Sequence, residues 1–270
     1  METPYRATDD TYAITTTFPA GNFGFLPINW FLIEAQEPIL VDTGMRVEQQ
    51  EFMQTLRSLI DPRDIKWIFL THDDNDHSGS LDQALEAAPN AKLVTNFVGF
   101  ARLADSHHIP FDRMLLVNPG QSFSAGDREL TIIRPPIFDS PASHGFFDAK
   151  NGVLVSADSF GAFIPGYAED VADVPEAAFA EGYHTFARAV SPWTALVDQR
   201  KFDSRLEDIR KLQPKTILGG HSPVARGRTE FLLRALSAVP SMTPFVGPDQ
   251  AAMVAMMATV EAGGVPVPVA

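Results

Sequence analysis

Residues 71 to 80 read Thr-His-Asp-Asp-Asn-Asp-His-Ser-Gly-Ser, so two histidines and three aspartates crowd between residues 72 and 77. The segment before them, IKWIFL (65 to 70), is an apolar run of the length of a buried strand, and SLDQALEAA after them has helix-forming composition. The stretch therefore sits on a strand-to-helix loop. Singly, each of its residues has an ordinary explanation: Asp76 or Ser78 can cap the following helix, and a histidine can lie on the surface. Together, His72, Asp74, Asp76 and His77 would be mutually repelling groups on one tight loop directly after a buried strand. A hard cation held among them removes that repulsion. The chain has no cysteine, so disulfides and thiolate metal sites are excluded and any metal must be held by His, Asp and Glu.

The rest of the chain alternates strand-like and helix-like segments. INWFLIEA (28 to 35) and PILVDTG (38 to 44) read as an antiparallel pair, followed by a helix from Val47 to Ile60 that stops at Asp61-Pro62. Further strands are expected at 91 to 95, 113 to 117, 129 to 135 and 152 to 158. Helices follow from Ala177 to Leu212 with a break at Pro192, then a strand and a Gly-Gly-His loop at 215 to 223, and a last helix from Thr229. Two batches of strands, each followed by helices, imply two mixed sheets with helices outside them. Residues 1 to 240 form the expected domain. Residues 241 to 270 read as a tail with one short helix whose methionines pack on the body or on a second copy of the chain, which makes a homodimer a candidate assembly.

The loop resembles the T-H-x-H-x-D-H signature of the metallo-β-lactamase superfamily, with Asp74 standing where the second histidine usually is. A carboxylate there, continued by Ser78-Gly79, is similar to the flavodiiron and oxygen-binding diiron branch. The likeness runs from NWFLIEAQEPILVDTG through NPGQSFSAGDRELTIIRPP and GVLVSADSFG to ILGGHSPV, roughly residues 20 to 240. It implies an αββα metallo-β-lactamase sandwich of two mixed sheets flanked by helices.

Carried over position by position, the resemblance makes His72 and Asp74 ligands of a first metal and Asp76 of a second. Asp158 becomes the bridging aspartate and His221 the final histidine ligand. His77 is a ligand in the hydrolases of the superfamily and turns away from the metal in the diiron branch, and both roles stay open. One ligand departs from the branch pattern: where a histidine precedes Ser-Pro, this chain has Asp139. The following Ser-Pro and the interval to Asp158 favour Asp139, and His144 is the alternative. His144 and His184 are otherwise candidates for positions just behind the ligands, with His184 at a helix start near the site entrance. His107 and His108 are expected to be exposed. Phe146, Phe147, Phe160 and Phe163 are candidate pocket walls, although aromatic residues on or beside strands are more often plain core.

The diiron resemblance implies a dinuclear non-haem iron site that binds or reduces oxygen or nitric oxide, with zinc and manganese as alternative metals. No flavin is expected on this chain, because the residues after Val239 are too few for a flavodoxin-like domain, so a reductase would need a separate electron-donor protein. A second function is metal-dependent hydrolysis of a small ester, thioester or lactone, and a third is non-catalytic sensing. A net charge of −13 without a local basic patch argues against nucleic acid. The N-terminal residues lack a signal-peptide pattern and no apolar run reaches a membrane span, so a soluble cytoplasmic protein with no membrane partner is expected.

Overall fold

The structure is a computed structural model that describes residues 1–261. Its first half builds a seven-stranded sheet from β1 (Tyr5–Thr8), β2 (Thr11–Pro19), β3 (Phe25–Ile33), β4 (Ile39–Val41), β5 (Trp67–Phe69), β6 (Lys92–Thr95) and β7 (Met114–Leu116), in that spatial order. Pairing is antiparallel from β1 to β4 and parallel from β4 to β7. The parallel connections are made by α1 (Gln49–Leu59), α2 (Leu81–Ala87) and α3 (Phe97–Leu103).

The second half builds a six-stranded sheet from β8 (Ser122–Ser124), β9 (Glu129–Ile133), β10 (Gly145–Asp148), β11 (Val153–Val155), β12 (Thr216–Leu218) and β13 (Ala225–Arg226), again in sequence order across the sheet. Between β11 and β12, which run parallel, come α4 (Glu176–Val190) and α5 (Gln199–Leu212), with a short 3-10 turn at Pro192–Leu196 where proline breaks the helical run. Helix α6 (Thr229–Ala238) follows β13, and α7 (Gln250–Glu261) is the last element described.

Side-chain alternation along the strands sorts the core into three layers. Phe31, Ile33, Val41 and Phe69 face Leu130, Ile132, Phe146, Val153 and Val155 between the two sheets. Their strand neighbours Trp30, Leu40, Ile68 and Leu70 point the other way, onto Phe52 and Leu56 of α1 and Leu81 and Leu85 of α2. Leu154 and Ile217 likewise turn outward onto α4, α5 and α6. These layers are the αββα sandwich expected from the sequence. Each strand expected there is present, β3 beginning three residues earlier than expected and the others shorter, and the opening pair β1–β2 and strands β8, β10 and β13 are additional. Val47, expected within the first helix, lies in the 3-10 turn before it and is 87% exposed. No helix among the described residues is long and apolar enough to cross a membrane.

Candidate metal centre

Strands β4 and β5 are parallel neighbours with Val41 opposite Phe69, so the residues that leave them, Asp42 and Thr71, emerge side by side. Asp42 is buried, at a φ of 57°, and accepts hydrogen bonds from the Thr71 backbone N–H (2.7 Å) and hydroxyl (2.8 Å). This pins the start of the His72–His77 loop. The loop closes through the Asp74 carbonyl, which accepts from the backbone N–H groups of His77 and Ser78. Gly79 is pressed so closely on the backbone of residues 44–46 that a Cβ would lie 2.2 Å from the Arg46 nitrogen.

The second sheet supplies the opposing residues. Asp158 follows β11 after Ala157, which adopts φ 48°, and His221 follows β12 through Gly219 and Gly220. A Cβ on Gly220 would stand 2.6 Å from His77 Cε1 and 2.8 Å from Asp158 Oδ1, so only glycine permits this approach. Asn29 of β3 fixes the same loop, its amide donating to the Gly219 and Ser222 carbonyls at 2.8 and 2.7 Å while its own carbonyl accepts from Thr15. Asp139 arrives on the loop after β9. Ser159 clasps that loop to the Asp158 loop by bonding both the N–H and the carbonyl of Ile137.

Three groups of potential ligand atoms result: His72 with Asp74 and Asp139, Asp76 with His77 and His221, and His72 with His77 and Asp158. His72 Nε2 lies 3.7 Å from Asp74, 3.8 Å from Asp139 and 3.5 Å from Asp158 Oδ2. The other oxygen of Asp158, Oδ1, lies 3.3 Å from His77 Nε2 and 3.5 Å from His221 Nε2. Asp158 thus presents one oxygen to each half of the cluster. All seven residues proposed from the sequence are brought together, and His77 faces inward.

Hydrogen bonds at the outer nitrogens set the tautomers. His77 Nδ1 is 2.9 Å from Asp42 and His221 Nδ1 is 2.8 Å from the Pro27 carbonyl, both acceptors, so these nitrogens carry the protons. The Thr71 hydroxyl gives its proton to Asp42 and accepts from His72 Nδ1 at 3.1 Å. All three Nε2 atoms therefore present lone pairs to the same small volume, among four carboxylates. Those of His77 and His221 lie only 3.3 Å apart. His72 Nε2 and Asp158 Oδ1 are buried with no hydrogen-bond partner. Donors about 2.1 Å from a shared cation stand about 3 to 4 Å from each other, which is the spacing here. The residues fit a pair of metal ions.

The electrostatics point the same way. Burial opposes charge on His77, yet Asp158 and Asp42 override it and hold its pKa well above the ordinary value. His221 is likewise raised against burial, by Asp158 and Asp76. Burial raises Asp74 and Asp139, the latter with help from the Asp158 charge, and lowers His72, with repulsion from His77 added. Asp158 and Asp76 are held below the usual carboxylate range, because their histidine neighbours outweigh the burial that opposes it.

The remaining histidines lie elsewhere. His144 Nε2 donates to the Leu70 carbonyl at 2.8 Å and its ring stacks on Phe69, so it backs the His72 loop without joining the cluster. His184 lies within α4, not at its start, and bonds the Ala235 carbonyl of α6, which corrects its placement near the entrance. His108 is exposed, but His107 is largely covered and pairs with Asp82. Phe146 and Phe160 are core, Phe147 packs on the outer core, and Phe163 does line a cavity. Two residues escaped the sequence reading, Asp42 and Asn29. A carboxylate and an amide flanked by apolar strand residues were the available signals.

Comparison with known proteins finds related chains and the same fold. An anaerobic nitric oxide reductase flavorubredoxin from Salmonella typhi is 30% identical over 134 residues, covering 49% of this chain and 28% of that protein. Rubredoxin oxygen:oxidoreductase from Desulfovibrio gigas superposes with a TM-score of 0.79 at 21% identity, over 90% of this chain and 62% of that one. A fragment of putative diflavin flavoprotein A 5 from Nostoc gives a TM-score of 0.72 at 17% identity, covering 88% of this chain and 96% of the fragment. The first three curated relatives are much longer, the chain spanning 43, 23 and 33% of their lengths. The sequence profile of the ODP family beta lactamase matches residues 26–222, most of the chain and all seven clustered residues. The chain belongs to the ODP beta-lactamase family.

Proposed function

We propose that the chain holds two metal ions, preferentially iron, and binds or reduces dioxygen or nitric oxide. His72, Asp74 and Asp139 hold the first ion, Asp76, His77 and His221 the second, and Asp158 bridges them. The observation that carries this reading is the convergence of three imidazole lone pairs and four carboxylates, with Asp158 offering an oxygen to each side. When bound, an iron pair supplies the change of oxidation state that reduction of a diatomic gas requires. The protein's part is to set the charge around it. Four carboxylates balance two divalent cations, which favours harder and more oxidised ions and weakens the Lewis acidity that a hydrolase needs. Names of the relatives, a nitric oxide reductase and an oxygen oxidoreductase, support the choice of gas. Residues 1 to 240 would form the metal-binding module, with electrons delivered by an electron-donor protein.

One observation favours hydrolysis as a second reading: His77 faces the cluster, as the hydrolase pattern expects. Competitive reconstitution decides between them. Metal-free protein is offered equal iron(II), manganese(II) and zinc(II) under argon, and bound metal is determined by elemental analysis. Iron or manganese uptake with an absorption change on exposure to oxygen is expected. Predominant zinc with efficient ester or lactone hydrolysis near neutral pH overturns the proposal.

A further inference from the structure

A cavity of about 420 Å³ lies between the loop at Gly21–Phe23, the segment around Ile164, helix α4 and residues 245–248, and none of the seven clustered residues lines it. Its volume is within the range that holds a small organic molecule. The walls are well tied together. Phe25 and Ile164 exchange two backbone hydrogen bonds of 2.8 Å, and Arg188 of α4 holds the Thr243 carbonyl at 3.1 Å, just before the residues that cover the cavity.

The lining has a distinct chemistry. Phe23 stacks on Phe163 at 5.1 Å and meets Phe245 at 5.9 Å, so three aromatic rings form one side. The polar lining includes Glu181, Asn22 and Thr185, while no Lys, Arg or His lines the space. Glu181 has no hydrogen bond or ion pair with any described residue. A free carboxylate beside aromatic faces favours a donor-bearing cation. An anion would be repelled, and a neutral hydrocarbon would leave the carboxylate and the ring faces without the charge they attract.

The geometry points to a second ligand site, separate from the metal centre, that takes a small organic cation: a protonated amine or amidine on a ring-sized apolar body. Its N–H groups bond Glu181, and its body lies against Phe23, Phe163 and Phe245. Phe163 packs on Phe186 at 5.8 Å, and Phe186 on His221 at 5.3 Å, so the occupant sits two rings away from the metal cluster. The assignment does not depend on which metal the cluster holds or what it does there.

Titration calorimetry of the full chain with phenethylammonium, phenethyl alcohol and phenylacetate tests it. The expected result is saturable binding of phenethylammonium, about tenfold tighter than the neutral alcohol, with no binding of phenylacetate. Glu181→Gln should remove the preference for the cation while leaving alcohol binding unchanged. Glu181 is exposed at its helical position, so that variant will fold. Equal binding of all three probes, a cation preference that survives Glu181→Gln, or no saturable binding of phenethylammonium in the millimolar range each overturns the assignment.

Discussion

Asp42 Oδ2 lies 2.9 Å from His77 Nδ1 and 2.8 Å from the Thr71 hydroxyl, which in turn meets His72 Nδ1. One buried carboxylate thus orients two imidazoles at once. Asp42→Asn keeps the shape but loses the charge, and metal affinity should fall by about 10- to 100-fold with the fold intact. Competition against a chelator, with circular dichroism as the folding control, measures it. An unchanged affinity would show that the imidazoles are held by packing alone.

Asp158→Asn should lose both metals. The neutral amide cannot give each cation a share of negative charge, so elemental analysis after gel filtration should find both positions depleted together. Retention of two metals per chain at native affinity would refute the bridging role.

Asp139→His exchanges a carboxylate of the His72 group for an imidazole. With one negative charge fewer, the variant should take up zinc more readily than the parent and show a higher metal reduction potential. Parallel competitive loading of the two proteins tests this, and an identical metal profile would count against the charge balance.

Gly220→Ala puts a methyl group where His77 and Asp158 already stand. Relief requires one of them to move, so the variant should lose about 1 to 3 kcal/mol of stability in urea unfolding, together with metal affinity. Native affinity in a stable variant would mean that the loop yields freely.

His144 provides a pH test away from the ligands. Burial pushes its pKa down from 6.5 to about 4, only partly offset by the hydrogen bond to Leu70. The folded state therefore resists a proton that the unfolded chain accepts. Its contribution is complete above pH 6.5 and is lost as pH falls from 6.5 towards 4. In metal-free protein the stability difference between native and His144→Gln should narrow across that window. A difference independent of pH would show that His144 is not buried in its neutral form.

The central strands were legible because their apolar runs end abruptly at turn residues, as IKWIFL does before Thr71. The opening pair was not, since Ala13, Ile14 and Thr15 are all buried and the alternation that marks a half-exposed strand is lost. His72, Asp74, Asp76 and His77 were conspicuous through their density on one loop. Asp42 was not, because its importance arises from the pairing of Val41 with Phe69, and sequence does not display which strands become neighbours. His184 was misplaced for a related reason: it falls on the face of α4 that packs against α6, and sequence does not display which helices become neighbours.

The strict sequence order of strands within each sheet has a consequence for how the molecule is completed. Everything in the seven-stranded sheet precedes residue 117, and that half carries His72, Asp74, Asp76 and His77. Asp139, Asp158 and His221 belong to the other half, so during synthesis from the N-terminus the first layer can take shape with no finished place for an ion. Metal binding is therefore thermodynamically tied to the docking of one layer on the other, and an ion acts as a clasp across the seam. Stripped of metal, the protein should breathe first along that edge, where Asp74 and Asp139 are left facing each other with no cation between them, while the far side of the sandwich stays shut.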